Sequence, residues 1–399
     1  MKTTTQKVFL FLAIFVLSVG AQALPLAQKE WTFLLFLNGH NNLSSFGDMN
    51  LKDMEKSGSN DQVNMVVEWG KSDSPITRRL LVKKSTDPKK VTSPTIMELK
   101  DRDMGDYKNL VDFVNWGADN FPARHYFVAV WNHGSGWHFQ DASRIKSGEV
   151  SINDISFDDN TGHSISTEQL GLAMAEIKQH IGRNIDIYGS DACLMQMLEV
   201  AGEMKNSVNY FVGSEDTEPG EGWPYETFAK KWTAAPRSNP SEVAVLLSKE
   251  YLRAYSGGAY GTKSVTFSAM DVSKLDAIVR TAGDVASYMK ALSSDDFKKV
   301  KAALNSVQSY YYSDYKDYGH LLKTIEALPI AKDAALFARA RSEVSSLILT
   351  TDSSPSFAKS TGVSVWVPTY ASDEMARYKG LEFDKMTSWS QFLERVLLP

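Results

Sequence analysis

Residues 184–200 read NIDIYGSDACLMQMLEV. The opening NIDIYGS is a short run rich in isoleucine with one aromatic, the composition of a strand. Three residues past it stands Cys193, the only cysteine of the chain. Leu194, Met197, Leu198 and Ala201 then recur at helical spacing, so a helix is expected to open at Cys193. Further strand-like runs are WTFLLFL (31–37), NMVVEW (64–69), RRLLVK (78–83) and RHYFVAVWN (124–132). Runs without polar alternation suit a sheet covered on both faces. Helical arcs lie between them: Leu43, Phe46, Leu51 and Met54; Leu110, Phe113 and Val114; Leu170, Ala173, Met174 and Ile177, the last preceded by Ser166 and Gln169 as a capping box. This alternation predicts an α/β protein with a mostly parallel central sheet between helical layers.

Ahead of the first strand, Lys2 and Lys7 precede VFLFLAIFVLSV (8–19) and then AQA (21–23). That is the layout of a cleavable signal peptide, with the cut expected after Ala23. The apolar run falls short of the ~20 residues a membrane span needs. No membrane anchor is therefore expected, and with no cysteine at the expected cut a lipoprotein is not expected either, so the protein should be secreted or periplasmic. The 43% hydrophobic and 23% charged fractions are those of a soluble globule, and a net charge of −5 argues against nucleic-acid binding.

A lone thiol outside the cytoplasm is either a buried bystander or a reactive group. In open α/β sheets ligands gather beyond the carboxyl ends of the strands. Cys193 stands there, and a helix N-terminus would favour its thiolate. A cysteine nucleophile needs an imidazole partner. Of seven histidines, only His133, in VWNHGSGW (130–137), lies just past the end of a strong buried strand. If the two strands are adjacent and parallel, their ends lie about 4.8 Å apart. His125 and His180 read as structural. Gly134 permits close backbone approach, so its N–H could join that of Cys193 in an oxyanion hole; a plain glycine turn is the alternative. Asp191 either caps the expected helix or lines a pocket selecting Arg or Lys.

NHGSGW together with GSDACLMQMLEVAGEM (189–204) resembles the clostripain family of cysteine peptidases, related in fold to caspases, legumains and gingipains. WTFLLFLNGHNNL (31–43), MGDYKNLVDFVNW (104–116), ISFDDNTGHSISTEQL (155–170), GSEDTEPGEGWPY (213–225), SVTFSAMDVSKLDAI (264–278) and GVSVWVPTY (362–370) extend the likeness from Trp31 to the C-terminus. His40 in NGHNN departs from the Ala-Asp pair more usual there. The resemblance implies a caspase-like three-layer sandwich with a helical C-terminal extension. It implies His133 and Cys193 as catalytic pair and Asp191 as pocket carboxylate. It divides the chain into a signal peptide (1–23), a catalytic core (24–235) and a C-terminal helical and strand region (236–399) completing the same fold. It also implies self-cleavage in the 140–153 loop, after Arg144 or Lys146.

In the second half, Leu275, Ile278, Val279, Ala282, Val285 and Met289 form one helical stripe, and Phe297, Val300, Leu304 and Val307 another. SYYYSDYKDYG (309–319) is either a ligand platform or core packing. Asn153, Asp154, Asp158, Asp159 and Asn160 offer oxygen ligands for calcium but lack EF-hand spacing, so a turn is the alternative. No metal site is assigned, and Ca²⁺ stays a candidate cofactor. The reading is a monomeric, secreted cysteine endopeptidase acting on protein or peptide substrates after Arg or Lys. One rival is a catalytically silent peptide- or surface-binding protein on the same fold. A serine hydrolase using Ser135 or Ser190 lacks the G-x-S-x-G elbow.

Overall fold

Trp31, Phe33, Leu35 and Leu37 enter one apolar core, Leu34 and Phe36 another, and all six are buried. A strand with no wet face belongs inside a sheet covered on both sides. The structure, a computed structural model, describes residues 28–137, 154–330, 333–368 and 374–398. Its strands in chain order are β1 (Lys29–Gly39), β2 (Val63–Lys71), β3 (Ser74–Leu81), β4 (Thr95–Lys100), β5 (Ala123–Trp131), β6 (Ile155–Asp158), β7 (His163–Ile165), β8 (Ile185–Asp191), β9 (Val208–Gly213), β10 (Ser256–Gly258), β11 (Gly261–Thr262), β12 (Thr266–Asp271), β13 (Tyr315–Asp317), β14 (Ile348–Ser353) and β15 (Ser364–Trp366). Nine of them form one sheet in the order β14-β12-β9-β8-β5-β1-β2-β3-β4. The inner five, β9 to β2, are parallel, and the two strands at each edge run antiparallel.

Helices α1 (Ser44–Glu55), α2 (Tyr107–Asn120), α3 (Thr167–Ile181), α4 (Leu198–Met204), α5 (Tyr225–Ala234), α6 (Pro240–Tyr255), α7 (Leu275–Ala291), α8 (Ser294–Ala303), α9 (Tyr318–Glu326), α10 (Ala334–Leu347), α11 (Met375–Tyr378), α12 (Glu382–Thr387) and α13 (Ser390–Leu397) complete the chain. α1, α5 and α6 cover one face, and the other helices cover the opposite face. The expected layering of α/β type is therefore present, and β12 and β14 carry the second half of the chain into the same sheet. α3 starts where Ser166 Oγ accepts the Gln169 N–H and Gln169 Oε1 accepts the Ser166 N–H, a reciprocal cap.

β3 pairs antiparallel with β2, within the mostly parallel sheet expected. One expectation shifts. The stripe through Val307 is not one helix, because α8 ends at Ala303 and a 3₁₀ turn over Leu304–Ser306 follows.

Register places the site. Leu37 of β1 and Asp191 of β8 both pair with Trp131 of β5, so the three strands finish level at their carboxyl ends. Beneath the exit of β8 lies the small β13–β15 ribbon, whose Ser364 bridges Met197.

Candidate active site

His133 and Cys193 each stand two residues beyond the paired Trp131 and Asp191. The two exits touch backbone to backbone. A Cβ on Gly134 would lie 2.5 Å from the Cys193 carbonyl oxygen and 3.0 Å from Ala192 Cβ, so only glycine lets them approach. Gly136 is required twice over. Its φ is +75°, and a Cβ there would meet Met197 Sδ at 2.5 Å.

Side-chain amides hold the β5 exit. Asn132 donates to the carbonyls of Asn38 (2.7 Å) and Phe157 (3.2 Å) and accepts the Phe157 N–H (2.8 Å). Asn38 and Asn41 also donate to the Phe157 carbonyl. Tyr315 donates its hydroxyl to the Ser135 carbonyl at 2.6 Å, and Trp137 is buried against Trp366 and Tyr378. The imidazole of His133 meets Asn42 Oδ1 through Nε2 at 2.7 Å. Burial holds its pKa below the usual histidine value.

The β8 exit is held by backbone ties. Leu194 donates to the Asp216 carbonyl and Gln196 to the Ser214 carbonyl, while Ser364 N–H donates to the Gln196 carbonyl, all at 3.0 Å. Leu194 takes φ +67°, a left-handed conformation costly for a branched residue. The helix expected at Cys193 therefore begins only at Leu198. The apolar spacing that suggested otherwise reflects burial of Leu194 and Met197 in the shared core, not helical geometry. Cys193 therefore does not sit at the N-terminus of α4. Cys193 is half-buried, and its Sγ accepts the Glu218 N–H at 3.2 Å. Burial pushes the thiol up to about 11, and nearby Asp216 and Asp191 add to the rise against the Glu218 N–H.

Asp191 does not cap a helix. Its buried carboxyl accepts the Tyr225 hydroxyl at 2.7 Å and the Trp223 N–H at 3.4 Å. Gly222, with φ +62°, lies so close that a Cβ there would meet Asp191 Oδ1 at 2.7 Å. Glu218 stands opposite. Asp191 and Trp223 are close to it, yet neither of its buried carboxyl oxygens completes a hydrogen bond among the described residues. Burial first, and each other's charge on Glu218, raise both carboxyls far above the carboxylate range, with no cation among the causes. Glu218 was not singled out from the sequence. The signal was present in the acid-rich stretch EDTEPGEGW (215–223), which follows the strand next to the cysteine strand.

The remaining expected residues are engaged elsewhere. His125 pairs with Asp186 (3.0 Å) and His180 with Asp119 (2.8 Å). Asp154, just before β6, pairs with Arg377, and Asp158, the last residue of β6, pairs with His40. Among the described residues no group of three or more His, Cys, Asp or Glu side chains is placed to hold a metal ion. Tyr310, Tyr312, Tyr315 and Tyr318 pack inward, and of that run's tyrosines Tyr311 alone is well exposed. Asn153, Arg144, Lys146 and residues 1–23 lie outside the described residues.

Fold and site together define a class: an α/β protein whose one cysteine and a histidine follow adjacent parallel strands at the same carboxyl edge, beside two buried carboxyls. The profile of the clostripain family matches residues 35–395, and the chain belongs to that family. Clostripain of Hathewaya histolytica is 27% identical over 154 residues, which are 37% of this chain and 28% of that protein's length. A secreted C11 cysteine protease from Bacteroides thetaiotaomicron, solved with an irreversible peptide inhibitor, superposes with a TM-score of 0.68 at 20% identity, over 90% of this chain and 99% of that one. An inactive zymogen C11 protease from Parabacteroides distasonis superposes with a TM-score of 0.67 at 17% identity, over 90% and 99% of the two chains. At these identities the likeness is one of fold.

Proposed function

We propose that this chain is a secreted cysteine endopeptidase that cuts after Arg or Lys. The observation that supports the specificity is the buried Asp191–Glu218 pair beside Cys193, two carboxyls that burial keeps protonated and that have no cation beside them among the described residues. A buried charge needs a partner, and a guanidinium or ammonium on the substrate would supply one.

The free site holds a neutral thiol and a neutral imidazole, since burial raises the one and lowers the other. His133 therefore acts first as a base. Its free nitrogen takes the Sγ proton as sulfur bonds to the scissile carbon. The carbonyl electrons move to an oxyanion held by the backbone N–H groups of Gly134 and Cys193. When the C–N bond breaks, the imidazolium returns the proton to the leaving amine. Water then attacks the thioester with His133 again as base, releasing the acid and restoring the thiol.

Secretion fits the N-terminal signal pattern and the Bacteroides protein, described as secreted. Among the described residues no helix is long and apolar enough to cross a membrane. Self-cleavage after Arg144 or Lys146 would use the same pocket, and residues 236–399 complete the catalytic fold rather than forming a separate module.

Wild type and Cys193→Ala should be incubated side by side with a peptide library varied before the cut. We expect cleavage after Arg and Lys by the wild type alone, and two fragments on a denaturing gel for the wild type alone. Turnover by pure Cys193→Ala would refute the cysteine mechanism, and a preference for acidic or apolar residues would refute the pocket. An intact, fully active wild type would refute self-processing.

A further inference from the structure

The turn after β1 carries four polar residues in six, Asn38, His40, Asn41 and Asn42 within 38–43. Three of them are buried and committed to the fold. Asn38 Oδ1 accepts the His40 N–H at 3.0 Å and its amide donates to Ser156 Oγ at 3.2 Å. His40 Nδ1 meets Asp158 Oδ2 at 2.7 Å. Asn41 donates to the Phe157 carbonyl at 3.0 Å and accepts the Leu43 N–H at 2.9 Å. These bonds fix the turn against β6 on either side of Asn42. The Asn42 side chain is exposed and, among the described residues, its one polar contact is His133 Nε2 at 2.7 Å. A surface amide adds little to folding, so this placement calls for another explanation.

An amide oxygen can only accept a hydrogen bond. Nε2 must then carry a proton, and in the neutral ring the lone pair is left on Nδ1. That is the nitrogen required to take the thiol proton and later to protonate the leaving amine. Among the described residues no charged side chain contributes to the histidine's titration, which burial lowers. Without an acceptor at Nε2 a neutral imidazole is free to populate both tautomers and to rotate, and only one arrangement is productive. A carboxylate in the same place would orient the ring equally well but would favour the imidazolium, which cannot act as the initial base.

We propose that Asn42 is the positioning residue of the cysteine–histidine pair, its Oδ1 holding His133 as the Nε2–H tautomer with Nδ1 presented to the thiol. This rests on the peptidase reading above. It makes the working unit three residues drawn from the exits of three adjacent strands, β1, β5 and β8.

The test joins kinetics to a readout that needs no activity. Protein labelled with ¹⁵N-histidine reports the tautomer of His133, assigned with His133→Gln. Wild type should show the Nε2–H form alone, and Asn42→Ala a mixture of both. The same substitution should lower kcat about ten- to hundredfold, the range for losing a hydrogen bond to a group that becomes charged, with KM within about twofold. Asn42→Asp should keep the tautomer and raise the His133 pKa, moving the acid limb of the pH–rate profile upward by about one unit. Because Asn42 is exposed, melting temperatures should match the wild type. An unchanged tautomer in Asn42→Ala, or a kcat within about twofold of wild type, overturns the proposal. If the wild type does not cleave peptides, the peptidase reading fails, and the tautomer measurement alone then decides the role of Asn42.

Discussion

The exits of β5 and β8 occupy equivalent positions in one register, yet they are built by opposite means. The β5 exit is tied by side-chain amides from β1, β5 and the turn after β1, and it leaves His133 against a neutral partner. The β8 exit is tied by backbone bonds to 214–216 and 364, through a left-handed Leu194, and it sets Cys193 among carboxyls. Amides orient without adding charge, so His133 stays neutral. Burial beside acids keeps Cys193 protonated. The difference teaches that the two exits set no ion pair between this histidine and this cysteine. On the proposed reading, charge would arise there only with a substrate whose cation sits on Asp191 and Glu218.

The sharpest way to break this contrast is Asp191→Asn. Removing one member of a buried charge pair, here Asp191 opposite the substrate cation, costs about 3–5 kcal/mol, so kcat/KM for Arg and Lys substrates should fall roughly a hundred- to several-thousandfold, while neutral substrates change little. An equal loss on both kinds would make Asp191 a structural acid rather than a reader of cations.

Next comes the thiol itself. With Cys193 pushed up to about 11, alkylation of the free protein by iodoacetamide should rise about tenfold per pH unit, hence about a hundredfold from pH 7 to pH 9. A plateau near pH 7 would mean that thiolate and imidazolium already coexist, and the neutral pair would be wrong.

The smallest effect is on stability. Glu218 has a folded pKa raised by burial above its unfolded value, so the folded state retains a proton that the unfolded chain has released. Stability from this group is full below the ordinary carboxylate pKa and falls as pH rises through the folded value. Glu218→Gln cannot titrate and should escape that fall, melting a few degrees above wild type at pH 8 relative to pH 5. An arginine-like ligand should narrow the gap at pH 8 by pairing with the ionised carboxyls. Parallel pH profiles for the two proteins would show that Glu218 ionises freely.

What was legible in the sequence was local. Apolar runs without polar alternation marked β1, β2, β5 and β8, because a strand buried on both faces must be apolar along its whole length. The Ser166–Gln169 cap was readable because its partners are three residues apart. His133 and Cys193 drew notice as the histidine and the one cysteine that follow such strands directly. The same locality misled at 194–201, where burial of Leu194 and Met197 imitated a helical stripe that the left-handed turn forbids.

Only the tertiary structure decided the partners. Asn42 lies 91 residues from His133, and Glu218 lies 25 from Cys193. Their side chains are ordinary polar residues on turns, and no period or composition sets them apart. They meet the pair because strands far apart in the chain finish level at one sheet edge, which puts three loops in contact. That Asp191 does not cap the expected helix was likewise decided only by the left-handed turn after Cys193, which leaves that carboxyl with Tyr225 and Glu218 for company. Short-range periodicity is a property of the backbone and can be read along it, whereas a hydrogen bond between distant turns exists only once the sheet has brought them together.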